Sequence, residues 1–272
     1  MSKRNLGVAL VTGASSGIGE ATAERLAKVG YKVYGTSRRG AQAGQRSYEM
    51  LALDVTSDES VEAAVAELIR REGRIDLLVN NAGFSVGPAG AEEVSIKQAQ
   101  LIFDTNFYGI VRMTRAVVPH MRRRGSGRII NIGSVLGFLP APYMALYAAT
   151  KHAVEGYSES IDHELRTRGI RVSIIQPAYT RTGFESNLLE PDLMLDEYRD
   201  VRMALAKRVA EAVEAGDDPS VVANTVLKAA MATHPKIRYT AGSLASRLRF
   251  LRRFAPAFLV DAGVRKDLGI DA

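Results

Sequence analysis

Cysteine is absent from the 272-residue sequence, which removes disulfide bonds, thiolate metal sites and cysteine nucleophiles together. Long apolar runs are missing too, and no stretch approaches the roughly 18 residues that a membrane-spanning helix needs. The short polar segment 1–6 lacks the apolar core of a signal peptide. What is present is ordinary for a globular protein, with 46% hydrophobic and 24% charged residues. We therefore expect a cytoplasmic protein.

Acidic and basic residues nearly balance over most of the chain. The net charge of +6 is concentrated in residues 236–272, which contain eight basic and three acidic residues. A nucleic-acid-binding domain would spread such an excess over a groove or a recognition element. We therefore expect no nucleic-acid partner, and we treat residues 243–272 as a basic C-terminal extension.

Strand-like and helix-like segments alternate along the chain. The expected strands are Val8–Thr12, Tyr31–Thr36, Tyr48–Val55, Asp76–Asn80, Arg128–Ser134, Arg171–Gln176 and Ile237–Thr240, and the expected helices are Gly17–Val29, Asp58–Arg71, Ser95–Arg124 and Tyr143–Arg168. The strands are apolar on both faces, which is typical of a parallel sheet covered by helices on both sides. The sequence thus predicts one α/β domain over residues 1–272, with a doubly wound parallel sheet and a charged insertion at 184–216.

The turn between the first strand and the first helix is rich in glycine and reads Thr12-Gly-Ala-Ser-Ser-Gly-Ile-Gly19. Glycine lets the backbone turn sharply and approach a ligand closely, and the N-terminus of the following helix favours a pyrophosphate. Residues 13–17 also match the Gly-x-Ser-x-Gly nucleophile elbow of α/β-hydrolases. Against this alternative, no upstream segment could supply an oxyanion hole, and no downstream Asp and His pair is singled out.

The chain resembles the short-chain dehydrogenase/reductase family over about residues 5–185. The family pattern Thr-Gly-x-x-x-Gly-x-Gly falls on residues 12–19, and the Asn-Asn-Ala-Gly motif falls on residues 80–83. A Pro-Gly-x-x-x-Thr segment matches residues 177–182, although Ala178 replaces its glycine. The resemblance implies a Rossmann-type fold and a nicotinamide dinucleotide cofactor.

The same resemblance implies which residues do the chemistry and which bind the cofactor. The expected catalytic residues are Asn106, Ser134, Tyr147 and Lys151. The expected cofactor-binding residues are Gly13, Ser15, Ser16, Gly17, Ile18, Gly19, Ser37, Arg38, Asp54, Val55, Asn81, Ala82, Gly83, Tyr147, Lys151, Pro177, Thr180 and Thr182. Among them, Asp54 would hydrogen-bond the adenine ring, and Thr182 would hold the nicotinamide end.

The end of the second strand indicates NADP(H) rather than NAD(H). Sites that prefer NAD commonly place an acidic residue there, on the ribose 2′-hydroxyl. Here Ser37, Arg38 and Arg39 follow the strand and no acid is present. Arginine offers a planar fork that pairs with phosphate. We expect Arg38 to bind the 2′-phosphate with help from Ser37, and we expect Arg39 to be solvated.

Tyr147 and Lys151 are four residues apart on a helix and therefore share one face. A free tyrosine has a pKa near 10, and a nearby ammonium favours the phenolate. We expect Lys151 to supply that charge and, as in the family, to bond the nicotinamide ribose. Ser134 would hold the substrate oxygen, while Asn106, by resemblance, would stabilise the helix and help a water relay.

An apolar substrate pocket is expected around these residues. The segment after Ser134 is apolar, and Tyr143, Met144 and Phe184 extend that character. The chain also resembles the hydroxysteroid and retinol dehydrogenase branch of the family. We expect hydride transfer between nicotinamide and an apolar alcohol, ketone or aldehyde. The alternative is a non-catalytic module that senses NADP, which has no use for a proton-transfer pair.

Three further expectations concern metals, assembly and the tail. The four histidines lack metal-ligand spacing, and the chemistry needs no metal. In the family the two long helices form the subunit interface, so a homodimer or homotetramer is expected. In the tail, Leu244, Leu248, Leu251 and Phe254 could pack on the domain. Alternatively, Leu244, Leu248, Leu251 and Phe258 could lie on an anionic membrane with the arginines between them. We favour packing, because amphipathic helices usually serve the core.

Overall fold

The computed structural model describes residues 5–40, 46–183 and 188–269. Seven strands form one sheet in the order β3-β2-β1-β4-β5-β6-β7. The strands are β1 (Val8–Val11), β2 (Lys32–Ser37), β3 (Glu49–Ala52), β4 (Leu77–Asn80), β5 (Gly127–Ile132), β6 (Ile170–Pro177) and β7 (Arg238–Ala241). All neighbouring strands pair in parallel. The expected doubly wound parallel sheet is confirmed.

Helices cover both faces of this sheet. They are α1 (Gly17–Val29), α2 (Asp58–Glu72), α3 (Ile96–Phe103), α4 (Gly109–Arg124), α5 (Ala145–Leu165), α6 (Arg199–Glu214), α7 (Pro219–Met231), α8 (Ser243–Phe254) and α9 (Ala257–Leu268). One apolar core joins the sheet to α2, α4 and α5, and the other joins it to α1 and α7. Along β1, Val8 and Leu10 belong to the first core, whereas Ala9 and Val11 belong to the second. This alternation explains why the strands are continuously apolar.

The order of the strands determines where a ligand can bind. The chain runs outward from β1 to β3 on one side and from β4 to β7 on the other, so the direction reverses between β1 and β4. The turns that follow these two strands diverge there and leave a crevice at their carboxyl ends. The glycine-rich turn after β1 and the Asn81 turn after β4 both lie at this crevice.

Three helical regions differ from the sequence-based prediction. The single helix expected over Ser95–Arg124 is interrupted by a π-helical turn, Asp104–Tyr108, between α3 and α4. The insertion contains α6, and α7 follows it, although no helix was expected in either place. A signal for α7 is present in the sequence, because Asp218 caps the helix and proline occupies its first turn.

The C-terminal extension folds into α8 and α9, separated at Pro256. On α8, Ala245 is fully buried, while Leu244 and Leu248 are half-buried. Leu251 and Phe254 are 44% and 64% exposed, so the expectation that they pack on the domain was wrong. Both lie on the helix face opposite buried Ala245, and this face is turned away from the domain. Within the described part of the chain, every helix is too short or too polar to cross a membrane.

Candidate active site

The glycine-rich turn has a conformation that requires its glycines. Gly13 and Gly17 have φ angles of +64° and +58°, in the left-handed region that favours glycine. A Cβ on Gly19 would lie 2.2 Å from the Gly13 carbonyl oxygen. Ser16 caps α1 with extended backbone and without a capping bond from its side chain, while Ser15 and Ile18 are half-buried beside it. The first amides of α1 therefore face the crevice without a side-chain cap.

The turn after β4 is tied to the glycine-rich turn by side-chain hydrogen bonds. The Thr12 hydroxyl accepts from the backbone amides of Asn81 and Ala82, at 2.9 and 3.0 Å. The Asn81 side-chain amide donates to the carbonyls of Thr12 and Gly13, both at 3.0 Å. A Cβ on Gly13 would be 2.9 Å from the Ala82 Cα, so the two backbones touch. These bonds fix the width of the crevice where the resemblance places the dinucleotide.

The residues expected to select the cofactor meet at the ends of β2 and β3. Ser37 ends β2 and donates its hydroxyl to the Gly40 carbonyl at 3.2 Å, while Arg38 and Arg39 are exposed. Asp54 accepts two bonds from Thr56, at 2.9 and 2.8 Å. Burial acts to raise the pKa of Asp54, but the Thr56 bonds and the charge of Arg38 outweigh it and lower the pKa.

Arg38 is therefore close enough to Asp54 to stabilise the charge of its carboxylate. Val55, the next residue after Asp54 in the sequence, is buried.

Arg46 was not singled out in the sequence, yet it reaches the glycine-rich turn. Its guanidinium donates to the carbonyl of Ala14 at 3.3 Å and to that of Ser15 at 3.1 Å. It also pairs with Glu20 at 2.6 Å and contacts the Tyr48 hydroxyl. Arg46 thus braces the outer side of the turn. The sequence carried no signal for this, because the contact joins segments that are distant along the chain.

The segment after β6 closes the other end of the crevice. Pro177 is the buried last residue of β6, and Thr180 is buried with its hydroxyl donating to the Ala178 carbonyl at 3.2 Å. A Cβ on Gly17 would lie 3.2 Å from the Thr182 side chain, so Thr182 lies against the glycine-rich turn. The structure brings the two segments together as the resemblance implied. Phe184, expected to line the pocket, lies outside the described residues.

Ser134 and Tyr147 form a polar pair at the carboxyl edge of the sheet. Ser134 follows β5, is buried, and accepts from the Leu136 amide at 3.1 Å. It shares a side-chain hydrogen bond with Tyr147. Burial raises the pKa of Tyr147 to about 12, and the Ser134 bond opposes this rise only in part. The phenol is therefore protonated over the whole neutral range.

Lys151 lies one helical turn beyond Tyr147, with its ammonium 5.4 Å from the centre of the Tyr147 ring. Its Nζ donates to the Ile132 carbonyl at 3.0 Å, and the residue is buried. Burial lowers the pKa of Lys151 to about 8. In the protein alone, burial is the main influence on the pKa of Tyr147, and the expected effect of the Lys151 charge on that pKa stays a prediction.

Asn106 lies in the π-helical turn and is buried. Its carbonyl oxygen accepts from the Phe84 amide at 3.0 Å, and its amide donates to the Phe84 carbonyl at 2.8 Å. It also donates to the Thr150 hydroxyl at 3.3 Å, directly before Lys151. A Cβ on exposed Gly83 would be 3.0 Å from the Asn106 side-chain oxygen. Asn106 therefore joins the turn after β4 to the helix that carries Lys151.

An aromatic pair joins the loop before α5 to the insertion. Tyr143 has a φ angle of +59°, which is rare for a residue with a side chain. Its ring packs edge-on against Tyr198, with centroids 6.2 Å apart. The Tyr143 carbonyl accepts from the Ala89 amide at 3.0 Å, which links the loop before α5 to the loop after β4. The insertion thus packs against the loop before α5 through an aromatic contact.

Comparison with known proteins agrees with this geometry. A family model described as short chain dehydrogenase matches residues 7–192. A 3-ketodihydrosphingosine reductase of Bacteroides thetaiotaomicron is 37% identical over 239 residues, covering 87% of this chain and 88% of the relative. Human retinol dehydrogenase 8 is 36% identical over 253 residues, with 84% and 79% covered. Human 17-beta-hydroxysteroid dehydrogenase type 1 is 37% identical over 257 residues, with 85% and 76% covered.

Solved structures show the same fold. A short-chain dehydrogenase from Streptomyces avermitilis is similar with a TM-score of 0.81 and 31% identity, and 98% of each chain is covered. One from Burkholderia phymatum in complex with NAD has a TM-score of 0.79, 26% identity and coverage of 93% and 95%. A serine dehydrogenase complexed with NADP+ has a TM-score of 0.72, 29% identity and coverage of 86% and 93%. The chain belongs to the short-chain dehydrogenase/reductase family and is an oxidoreductase with a nicotinamide dinucleotide site.

Proposed function

We propose that the protein is an NADP(H)-dependent oxidoreductase that interconverts an apolar alcohol with its ketone or aldehyde. The observation that carries the proposal is the hydrogen-bonded pair of Ser134 and Tyr147, which lies beside buried Lys151 at the carboxyl edge of the sheet. Two hydroxyl groups that can donate protons and the Lys151 ammonium therefore lie at the same edge of the sheet as the crevice for the dinucleotide.

The three polar residues at this edge of the sheet have distinct roles in this proposal. Ser134 holds the substrate oxygen through its hydroxyl, and Tyr147 exchanges a proton with that oxygen. The high pKa of Tyr147, about 12, keeps the phenol protonated and so suits proton donation in the direction of reduction. The nicotinamide supplies the hydride when bound. Lys151 holds a positive charge 5.4 Å from the ring and stabilises the phenolate as the proton leaves.

The cofactor's place follows from the residues that fit it. The uncapped start of α1 and the positive-φ glycines suit the pyrophosphate, and Thr182 beside Gly17 suits the nicotinamide end. The relatives of known structure include complexes with NAD and with NADP, so the preference for NADP(H) rests on this chain's own residues. Ser37 ends β2 and exposed Arg38 follows it, and no acid takes that place.

An apolar substrate is supported by the pocket border and by the relatives. Tyr143 and Tyr198 form an aromatic wall on one side, and Phe138 lies in the loop after Ser134. Relatives named for retinol, a hydroxysteroid and 3-ketodihydrosphingosine are similar to this chain in sequence over most of its length. All three names refer to lipids whose skeletons are largely apolar.

Turnover with a panel of ketones and aldehydes tests the proposal. NADPH oxidation should be faster with apolar ketones of increasing size than with small polar ones, and NADH should be the poorer donor. Binding of NADPH without turnover of any member would instead support the non-catalytic NADP-sensing module. A preference for polar hydroxy amino acids such as serine would refute the substrate class.

A further inference from the structure

The two C-terminal helices expose an unusual number of large apolar side chains. We call Phe250, Leu251, Phe254, Phe258 and Leu259 the C-terminal apolar surface; they are between 44% and 70% exposed. Phe250, Leu251 and Phe254 lie on one face of α8, since they are spaced by one and four residues. Phe258 and Leu259 open α9 directly after the bend at Pro256. The five side chains therefore share the corner where the helices meet.

The C-terminal apolar surface does not hold the tail onto the domain. That task falls to the opposite face of α8, where Ala245 is buried. Arg249 donates to the Gln176 side chain at 2.8 Å, and its guanidinium lies 5.7 Å from the centre of the Phe138 ring. Arg252 donates to the Phe138 carbonyl at 3.2 Å. The outward aromatic residues are thus available for a partner outside the domain.

Cations outnumber anions around these aromatic residues, where exposed Asp261 of α9 lies one turn after Phe258. Arg247 and Arg253 are exposed on α8, and the Arg253 guanidinium lies 5.6 Å from the centre of the Phe254 ring. The segment from Ser243 to Val260 contains no aspartate or glutamate. A second copy docked by a two-fold axis would place these arginines against their own counterparts, and the Asp261 carboxylate would offset only part of that charge. An anionic lipid surface, by contrast, offers opposite charge together with an apolar layer.

We propose that the C-terminal apolar surface docks the protein peripherally on anionic lipid bilayers, with the aromatic side chains in the interface and the arginines on lipid phosphates. The sequence alone favoured packing on the domain, and the exposure of Leu251 and Phe254 reverses that preference. Because Arg252 bonds the Phe138 carbonyl in the loop that follows Ser134, docking places the bilayer at the same sheet edge as Ser134. The proposal does not depend on the proposed reaction.

Co-sedimentation of the full chain with vesicles tests the docking. The probes are phosphatidylcholine vesicles with and without phosphatidylserine, in the absence of cofactor. We expect binding only to the phosphatidylserine vesicles. Binding should weaken between about 0.1 M and about 1 M salt, since the screening length falls from about 10 Å to about 3 Å. Failure to bind anionic vesicles at low salt would overturn the proposal.

A double variant and a triple variant test which residues bind the vesicles. Arg247→Gln with Arg253→Gln should lower partition at low salt by about fivefold for each arginine removed. Phe250→Ser, Phe254→Ser and Phe258→Ser together should abolish binding to vesicles. The matched controls are Arg122→Gln with Arg168→Gln, and Met203→Ser with Met231→Ser, which change exposed residues elsewhere. They should bind as the wild type does.

Thermal melting must show that every variant is folded. Tail variants that bind like the controls would refute the assignment to this surface. The wild type could fail to bind vesicles while the triple serine variant has a lower oligomer mass than the wild type. That result would identify a second copy of the chain as the occupant and overturn lipid docking.

Discussion

Replacing Lys151 with methionine tests how much the buried charge of this lysine lowers the stability of the folded protein. Lys151 is buried, and its ammonium has one described hydrogen-bond partner, the Ile132 carbonyl. Burial lowers its pKa from 10.5 to about 8. Between these values the unfolded state binds more protons than the folded state, so the stability of the wild type rises with pH in that window. Below pH 8 the lysine is charged in both states and the folded state bears the full cost.

The size of this effect follows from the two pKa values. The charged lysine destabilises the folded protein by about 3 kcal/mol at pH 7, and roughly 2 kcal/mol of this is recovered by pH 9.5. Lys151→Met removes the titration. It also leaves the Ile132 carbonyl without that donor, but this loss is the same at both pH values and cancels in their difference. Turnover should be lost, because the cation beside Tyr147 is gone.

Urea denaturation at pH 7 and pH 9.5 measures the difference. The stability of Lys151→Met relative to the wild type should fall by about 2 kcal/mol from the lower to the higher pH. Lys228→Met, which removes an exposed lysine from α7, should show no such change. A Lys151 variant whose relative stability is the same at both pH values would show that the lysine is not desolvated as described.

Four other changes test separate parts of the account. Arg38→Ala should weaken NADPH binding by tenfold or more with little effect on NADH, whereas Arg39→Ala should change neither; equal weakening of both cofactors by Arg38→Ala would show that Arg38 does not bind the 2′-phosphate. Gly19→Ala should abolish cofactor binding, because its methyl group would lie 2.2 Å from the Gly13 carbonyl oxygen, and titration of cofactor fluorescence would reveal any retained affinity. Light scattering at micromolar concentration should give a dimer or tetramer built on α4 and α5, and a monomer mass would refute this. Deletion after Gly242 should lower the melting temperature, since the Arg249 bond to Gln176 is lost, and an unchanged temperature would mean that α8 does not anchor the tail.

Much of the fold could be predicted from local patterns, because the signals are strong and repeated. The residues of β1 are apolar at every position since each face of the strand enters a core, and this pattern distinguishes a covered parallel sheet. The glycine-rich turn could be placed because its φ angles and close backbone contacts leave room only for glycine. Motif spacing then placed Ser134, Tyr147 and Lys151, which the structure brings together.

Other features depend on contacts between distant segments and left little trace in the sequence. Helix α6 buries only Leu205, so its apolar period is too weak to stand out. The π-helical turn at Asn106 is tied to the loop at Phe84, which is remote along the chain. The pKa values of Tyr147 and Lys151 are set by burial, which spacing does not show. In the tail, an amphipathic pattern cannot tell which face turns to the domain.

The role of Tyr147 is tested most directly by comparing turnover and cofactor binding in Tyr147→Phe. The change removes the hydroxyl that shares a hydrogen bond with Ser134 and leaves the ring in place. We expect kcat to fall by a factor of about 100 or more with NADPH and an apolar ketone, while the Kd for NADPH stays close to that of the wild type. Tyr143→Phe, four residues earlier in the loop before α5, should remain active. Retention of more than about a few per cent of wild-type kcat by Tyr147→Phe would contradict the assignment of proton transfer to this residue.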